Sequence, residues 1–297
     1  MTVPVATVWS APDAPRAGDA PAVHDRPDVA AWAASMDRAA RAGLHGRCET
    51  QLLLGEEVLV VDEVDGWSRV LATGQPSHAD PRGYPGWVRT AHLGDRRPPY
   101  GREAVVAEPS CVYAGHGTGA LTLSFGTLVQ VLDHEEPVAS VALGDGQQGV
   151  LPRAALRDLP VGDATAGSDA LLEAARRFLG LPYLWGGTSA WGLDCSGLVH
   201  LVLRSFGVLL PRNADDQAAS RRLAAVPLDE VLPGDLYFFA ADGEPVSHVG
   251  FATGAADGAG GHRMLHAPED GTGVEEGPLP GHRLRTLVAA RRPALRA

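Results

Sequence analysis

In the first half of the chain, short runs of alternating apolar and polar residues at 51–54, 57–61, 67–71 and 86–89 are separated by turn-forming residues. A period of two predicts strands with one buried face, and Asp65 with Gly66 predicts the hairpin turn between the second and third. Ahead of them, the Ala-rich stretch 28–42 predicts a short helix inserted in a loop. After Arg96, Arg97, Pro98 and Pro99 comes a second set of such runs, at 104–106, 110–113, 128–132, 138–143 and 149–152. Each set ends alike, in Gly-Trp-Val near Val88 and in Gly-Val-Leu near Leu151, with a short helical tail. Two small β-barrels of similar kind are expected.

From about Ala164 the period changes. Ser168 is a helix N-cap type, Leu171, Leu172, Ala175, Phe178 and Leu179 follow the helical repeat, and Gly180 supplies a stop. A second helix is predicted over 195–206, with Leu198, Val199, Leu201, Val202 and Phe206 inward, Ser196, His200 and Arg204 on the polar side, and Gly207 at its end. Strands follow at 235–240, 247–253, 262–266 and 287–291. Helices followed by an antiparallel sheet make an α+β unit.

A chain of 297 residues is long for one domain, and 45% apolar content is enough for more than one core. The net charge of −11 argues against nucleic acid and anionic membrane as partners, which need a concentrated basic face. All 25 basic side chains are Arg, a compositional bias without functional weight. Residues 1–21 have neither a basic n-region nor an apolar h-region, and no run approaches the ~20 apolar residues that span a bilayer. Cys48, Cys111 and Cys195 are odd in number and widely spaced, which suggests neither a disulfide framework nor a CxxC zinc site. A cytoplasmic location is expected.

Cys195 opens the second predicted helix, within Leu193, Asp194, Cys195, Ser196, Gly197 and Leu198. Unpaired N–H groups and partial positive charge at a helix start favour a thiolate and hold an anion formed beside it. An isolated cysteine is more often a buried packing residue. Here the polar flanks and the preceding Gly186–Gly187 pair suit an accessible nucleophile.

A thiol nucleophile needs an imidazole within reach and a third group to orient it. His248 and His266 are the candidates, on strands joined by a glycine-rich hairpin at 255–261, with the small Gly250 leaving room beside them. Cys195, His248, His262 and His266 are also zinc-ligand types, but no Cys pair precedes the His262/His266 spacing to complete a finger-type site. No metal and no cofactor is expected. The loop Tyr183, Leu184, Trp185, Gly186, Gly187 is either a packed connector or one wall of a substrate cleft.

Taken together, Tyr183 to Gly187, Asp194 to Leu198, Leu210 to Asn213 with Gln217, Leu232 to Leu236, Ser247 to Gly250 and Leu265 to Ala267 resemble the NlpC-type family of papain-like cell-wall cysteine peptidases, over about 170–290. The resemblance implies Cys195 as nucleophile, His248 as general base and His266 as orienting residue, with N–H groups at the helix start facing the oxyanion. Gly83, Tyr84, Pro85, Gly86, Trp87 and Val88 resemble the first of two bacterial SH3-like domains in one branch of that family. Its members cut murein-derived peptides between γ-D-glutamate and a diamino acid and require a free N-terminal L-Ala. That branch implies substrate contacts by Tyr84, Glu49, Asp194 and Ser196; Trp185, in the loop read as a cleft wall, and Asn213 complete the candidate substrate-binding set. Many relatives have Arg-Asp where this chain has Arg212 and Asn213, which removes one carboxylate from ammonium recognition.

The expected architecture is therefore an α+β fold, with a papain-like cysteine peptidase domain at 163–297 preceded by two SH3-like β-barrels, at 1–100 with the inserted helix and at 101–162. The expected partner is a small murein-derived peptide. The competing readings are an amidase or acyltransferase using the same Cys/His pair, and an inactive cell-wall binding protein on the same fold.

Overall fold

The computed structural model describes residues 1–95, 101–116, 119–133, 136–159, 167–256, 261–269 and 273–294. The chain forms two compact units, Met1–Leu159 with Leu184–Gly192, and Pro160–Tyr183 with Leu193–Ala297.

The first unit begins with β1 (Val5–Trp9), the short helices α1 (Ala20–Val23), α2 (Val29–Ser35) and α3 (Arg38–Ala42), then β2 (Cys48–Leu53), β3 (Val58–Val64), β4 (Trp67–Ala72) and β5 (Tyr84–Arg89). The strands form an antiparallel sheet in the order β2-β1-β5-β4-β3. Asp65 and Gly66 both have positive φ, 48° and 77°, as a two-residue turn between twisted strands requires. The helix expected over 28–42 is two helices. Asp28 caps the first by accepting from the Ala31 N–H, and Asp37 starts the second by accepting from the Ala40 N–H. A buried Trp32 indole N–H donates to Asp19 at 2.9 Å and fastens the insertion to itself.

Seven more strands follow: β6 (Arg102–Val106), β7 (Ser110–Gly115), β8 (Gly119–Ser124), β9 (Leu128–Val131), β10 (Val138–Ala142), β11 (Gln148–Pro152) and β12 (Leu156–Asp158). They form a sheet in the order β12-β6-β9-β10-β11-β7-β8. Its core holds Tyr113, Leu123, Val129, Val141 and Leu151, joined by Leu54, the residue after β2.

Further along lie α4 (Ser168–Arg176), a two-residue ladder of β13 (Thr188–Ser189) and β14 (Gly192–Leu193), α5 (Cys195–Arg204), α6 (Ala214–Ala219), β15 (Leu223–Val226), β16 (Leu236–Phe239), β17 (His248–Ala256), β18 (Gly261–His266), β19 (Glu275–Pro278), α7 (Gly281–Thr286) and β20 (Leu287–Pro293). The second unit's sheet is antiparallel, in the order β15-β20-β16-β17-β18-β19, and α5 packs against β17. The α+β class is as the sequence pattern predicts. Among the described residues no helix is long and apolar enough to cross a membrane.

Three local expectations are corrected. Ser168 is the first residue of α4, whose N-cap is Gly167 without a side-chain bond. The helix ends at Arg176, so Phe178 is buried in the following turn while Leu179 is 48% exposed. Helix α5 stops at Arg204 and has no polar side over its first nine residues: Ser196 and His200 are buried. A helix enclosed all round must satisfy its polar groups internally. His200 Nδ1 bonds the Leu210 carbonyl at 2.8 Å, and burial lowers its pKa to about 3, keeping it neutral.

Strands β17 and β18 pair out to Ala256 and Gly261, and the centre of the glycine-rich turn read between them lies outside the described residues. Strand β19 closes one edge of the sheet, where Arg176 of α4 holds Glu276 through two bonds of 2.8 and 3.0 Å.

Candidate active site

Asp194 is the N-cap of α5, and Cys195 is its first residue. Asp194 Oδ1 accepts from the Gly197 N–H at 2.6 Å and from the Ser196 hydroxyl at 3.1 Å. Arg212 grips the same carboxylate with two donors, Nη1 to Oδ1 at 3.0 Å and Nη2 to Oδ2 at 2.6 Å, and Nη1 also reaches Ser196 Oγ at 3.0 Å. The guanidinium is only 1% exposed. Gln217 of α6 donates to the carbonyls of Ser196 and Pro211, at 3.0 and 2.9 Å. The start of α5 is thus fixed from two following segments, and the cysteine is held with it.

The Cys195 thiol is buried, 6% exposed, and points to the Ser247 carbonyl at 4.0 Å. Burial pushes its pKa up to about 12, reinforced by the Asp194 charge; N–H groups of Val249 and Ser196 and the Arg212 charge pull the other way. The helix-start stabilisation expected from the sequence is present, and desolvation outweighs it. Tyr183, also buried, has its hydroxyl pKa raised, first by burial and then by proximity to Cys195.

His248 opens β17, so its neighbours Ser247 and Val249 are the residues whose backbone groups meet the sulfur. Its Nε2 shares a 2.8 Å hydrogen bond with His266 Nδ1 on the adjacent strand, the rings nearly perpendicular at 86°. Nδ1 is the ring nitrogen of His248 that lies outside this bond. A Cβ on Gly250 would stand 2.8 Å from His266 Cβ and 2.7 Å from Met264 Sδ, so a larger residue there would displace the second imidazole. Burial, Arg283 and His266 together hold the His248 pKa well below the ordinary histidine range. Burial thus disfavours the charged form of both groups, the thiolate of Cys195 and the imidazolium of His248. His262, weighed above as a zinc ligand, has its Nδ1 bonded to the Tyr237 hydroxyl at 2.8 Å.

The remaining candidates divide between the units. Asp194, Ser196 and Asn213 belong with Cys195, and Asn213 is the N-cap of α6 without a side-chain cap bond. Glu49, Tyr84 and Trp185 belong to the first unit. There the Tyr84 hydroxyl donates to Glu49 Oε2 at 3.2 Å, and Trp185 packs against His45 with centroids 4.1 Å apart and the rings tilted by 54°. Gly186, at φ +75°, sits so close to β2 that a Cβ would fall 2.6 Å from Cys48 Sγ and 3.3 Å from the Glu49 carbonyl carbon. Buried Gln51 holds the rest of this loop, accepting at Oε1 from the Thr188 N–H at 3.2 Å and Ser189 Oγ at 2.8 Å, and at its carbonyl from Thr188 Oγ1 at 2.9 Å.

Sequence reasoning did not single out Gln51, or Arg212 as the buried partner of Asp194. It also missed Glu275, whose Oε1 lies 3.3 Å from His266 Nε2. An Arg near an acidic N-cap was a usable signal for the second; a Glu ahead of Glu-Gly-Pro gives none.

A thiol at a helix start beside a strand-borne pair of imidazoles, on helices packed against an antiparallel sheet, defines a cysteine hydrolase of the α+β class. Residues 180–291 match the NlpC/P60 family. Over 277 residues, 91% of this chain and 90% of the relative, the chain is 35% identical to a gamma-D-glutamyl-L-lysine dipeptidyl-peptidase of Bacillus subtilis (strain 168). It is 34% identical to a protein of the same description from Bacillus cereus (strain ATCC 10987), over 98% of this chain and 90% of that one. The crystal structure of an NlpC/P60 family protein from Bacillus cereus ATCC 10987 superposes with a TM-score of 0.88 at 32% identity, covering 99% of this chain and 98% of that one. The chain belongs to the NlpC/P60 family, and it is a cysteine peptidase.

Proposed function

We propose that the chain hydrolyses the bond between γ-D-glutamate and a diamino acid in small murein-derived peptides that carry a free N-terminal L-Ala, within cytoplasmic recycling of cell-wall peptides. The observation that carries the chemistry is the 2.8 Å bond between His248 and His266 beside the backbone that meets Cys195. The substrate class rests on the two relatives described as gamma-D-glutamyl-L-lysine dipeptidyl-peptidases.

In this reading the Cys195 proton passes to His248 Nδ1 as sulfur attacks the γ-glutamyl carbonyl carbon. N–H groups at the start of α5 receive the oxyanion. The carbon–nitrogen bond breaks as His248 returns the proton to the departing amine, and a thioester remains. Water, deprotonated by His248, then releases the dipeptide acid and restores the thiol. Asp194 and Ser196, fixed by Arg212, flank the nucleophile as substrate contacts. Glu49, Tyr84, Trp185 and Asn213 are assigned to recognition of the dipeptide and its ammonium. The two N-terminal sheets are read as SH3-like domains at 1–100 and 101–162, and residues 163–297 as the papain-like domain.

The test is to incubate the protein and its Cys195→Ala variant with L-Ala-γ-D-Glu-L-Lys, its diaminopimelate counterpart and an N-acetylated copy, following products by mass. Release of L-Ala-γ-D-Glu from the free-amine peptides alone, abolished in the variant, is expected. Cleavage of the acetylated copy at an equal rate would remove the amine requirement, and cleavage of none would remove the substrate assignment.

A further inference from the structure

Glu275 on β19 lies directly opposite His266 on β18 in the strand register, and its Oε1 stands 3.3 Å from His266 Nε2. His266 Nδ1 makes the 2.8 Å bond to His248 Nε2 on β17. Three side chains on three successive strands thus form one file, with its inner end at the imidazole beside Cys195.

A neutral imidazole carries one proton on one of two nitrogens. For His248 Nδ1 to accept the thiol proton, the His248 proton must sit on Nε2. His266 must then accept at Nδ1 and carry its own proton on Nε2. A carboxylate only accepts, so a group of that kind at His266 Nε2 selects this tautomer over the other.

We propose that Glu275 is a positioning residue that holds the His266 proton on Nε2 and thereby fixes the tautomer chain leaving His248 Nδ1 free to take the proton of Cys195. The inference deepens the peptidase reading above and rests on His248 acting as the base. Glu275 neither gains nor loses a proton; the one that moves travels from Cys195 Sγ to His248 Nδ1 and on to the departing amine. The imidazolium formed in between donates from Nε2 to His266 and gains from the negative charge behind it.

The surroundings leave this task to Glu275. A cavity of about 100 Å³ beside His266 is bordered by Glu275 and by His282 and Arg283 of α7. Arg283, on the same cavity, opposes positive charge on His248. The next residue, Glu276, points to the other face and is taken by Arg176. Among the described residues, the ion-pair contact of Glu275 is with His266. As an exposed pair it would contribute little to stability, since the Glu275 side chain is 59% exposed, so its effect is sought in proton placement.

The test compares the full-length protein with Glu275→Ala and Glu275→Gln. Ring ¹⁵N chemical shifts report the His266 and His248 tautomers, alkylation of Cys195 by iodoacetamide reports the thiol–imidazole pair without substrate, and cleavage of L-Ala-γ-D-Glu-L-Lys reports turnover. The expected result is a single Nε2–H tautomer of His266 in the wild type and a mixture in Glu275→Ala. Cys195 alkylation and kcat should each fall about threefold to tenfold in that variant at near-constant KM, a fraction of the ~10²–10⁴ of general base catalysis. Glu275→Gln keeps an acceptor oxygen and restores the tautomer and most of both rates. Unchanged tautomers and alkylation in Glu275→Ala would overturn the proposal. If the wild type leaves the peptide intact while tautomers and alkylation respond as expected, the substrate assignment falls and the role of Glu275 stands.

Discussion

At the scale of single residues, the candidate base is set by its burial. His248 is kept neutral by desolvation, by Arg283 and by His266, and the neutral ring is the form that accepts a proton. Protonation silences it, and its pKa lies well below the ordinary value of about 6.5. Activity should therefore hold level as pH falls through 6.5 and decline only further down. A profile of kcat/KM against pH measures this, and an acidic limb centred at 6.5 would contradict it. The identities of these residues were legible in the sequence because each has a recognisable local setting: Cys195 opens an apolar helical repeat, and His248 and His266 sit on alternating strands either side of glycines. Their protonation was not, since the helix start argued for a lowered thiol pKa and burial of the sulfur reverses that sign. Depth of burial belongs to the assembled fold, and no local pattern carries it.

At the scale of elements, the decisive part is the start of α5 with its buried guanidinium. Removing one partner of an enclosed ion pair strands the other, at a cost of roughly 3–5 kcal/mol. Arg212→Ala should lower the unfolding free energy by about that amount, read from urea denaturation, because Asp194 and the Ser196 hydroxyl lose the same donors. Arg212→Lys should recover only part of it, having no planar fork. Elements with strong periodicity, such as β4, β17 and α5, were predicted within a few residues. Strand β19 was not: Glu275–Pro278 has no apolar alternation and is a strand because β18 supplies its partners. Strand β1 also went unread, although all five of its residues are buried and it pairs fully with β2. A strand buried on both faces, as Val5-Ala6-Thr7-Val8-Trp9 is, has no apolar–polar alternation to announce its period.

At the scale of the molecule, a compact unit need not be one continuous stretch of chain. Residues 184–192 follow α4 in sequence yet are built into the first unit, with Gln51 as their anchor. Gln51→Ala would leave the Thr188 N–H without its acceptor in a buried place, at roughly 1–3 kcal/mol. Amide exchange at Thr188 should quicken in that variant, measured by mass spectrometry of the matching peptide. Unequal stability within one fold also bears on strand β19. It is paired on one side only and is clasped to α4 by the exposed Arg176–Glu276 bridge. Edge strands fray at free energies far below that of global unfolding. On the proposal above, the outermost member of the Cys195–His248–His266–Glu275 file rides on a strand that can open and close while Cys195 stays in place. Mild heat or denaturant would then dim turnover before the fold itself melts, and Arg176, an exposed side chain of α4, would act as a latch on how often the file is complete.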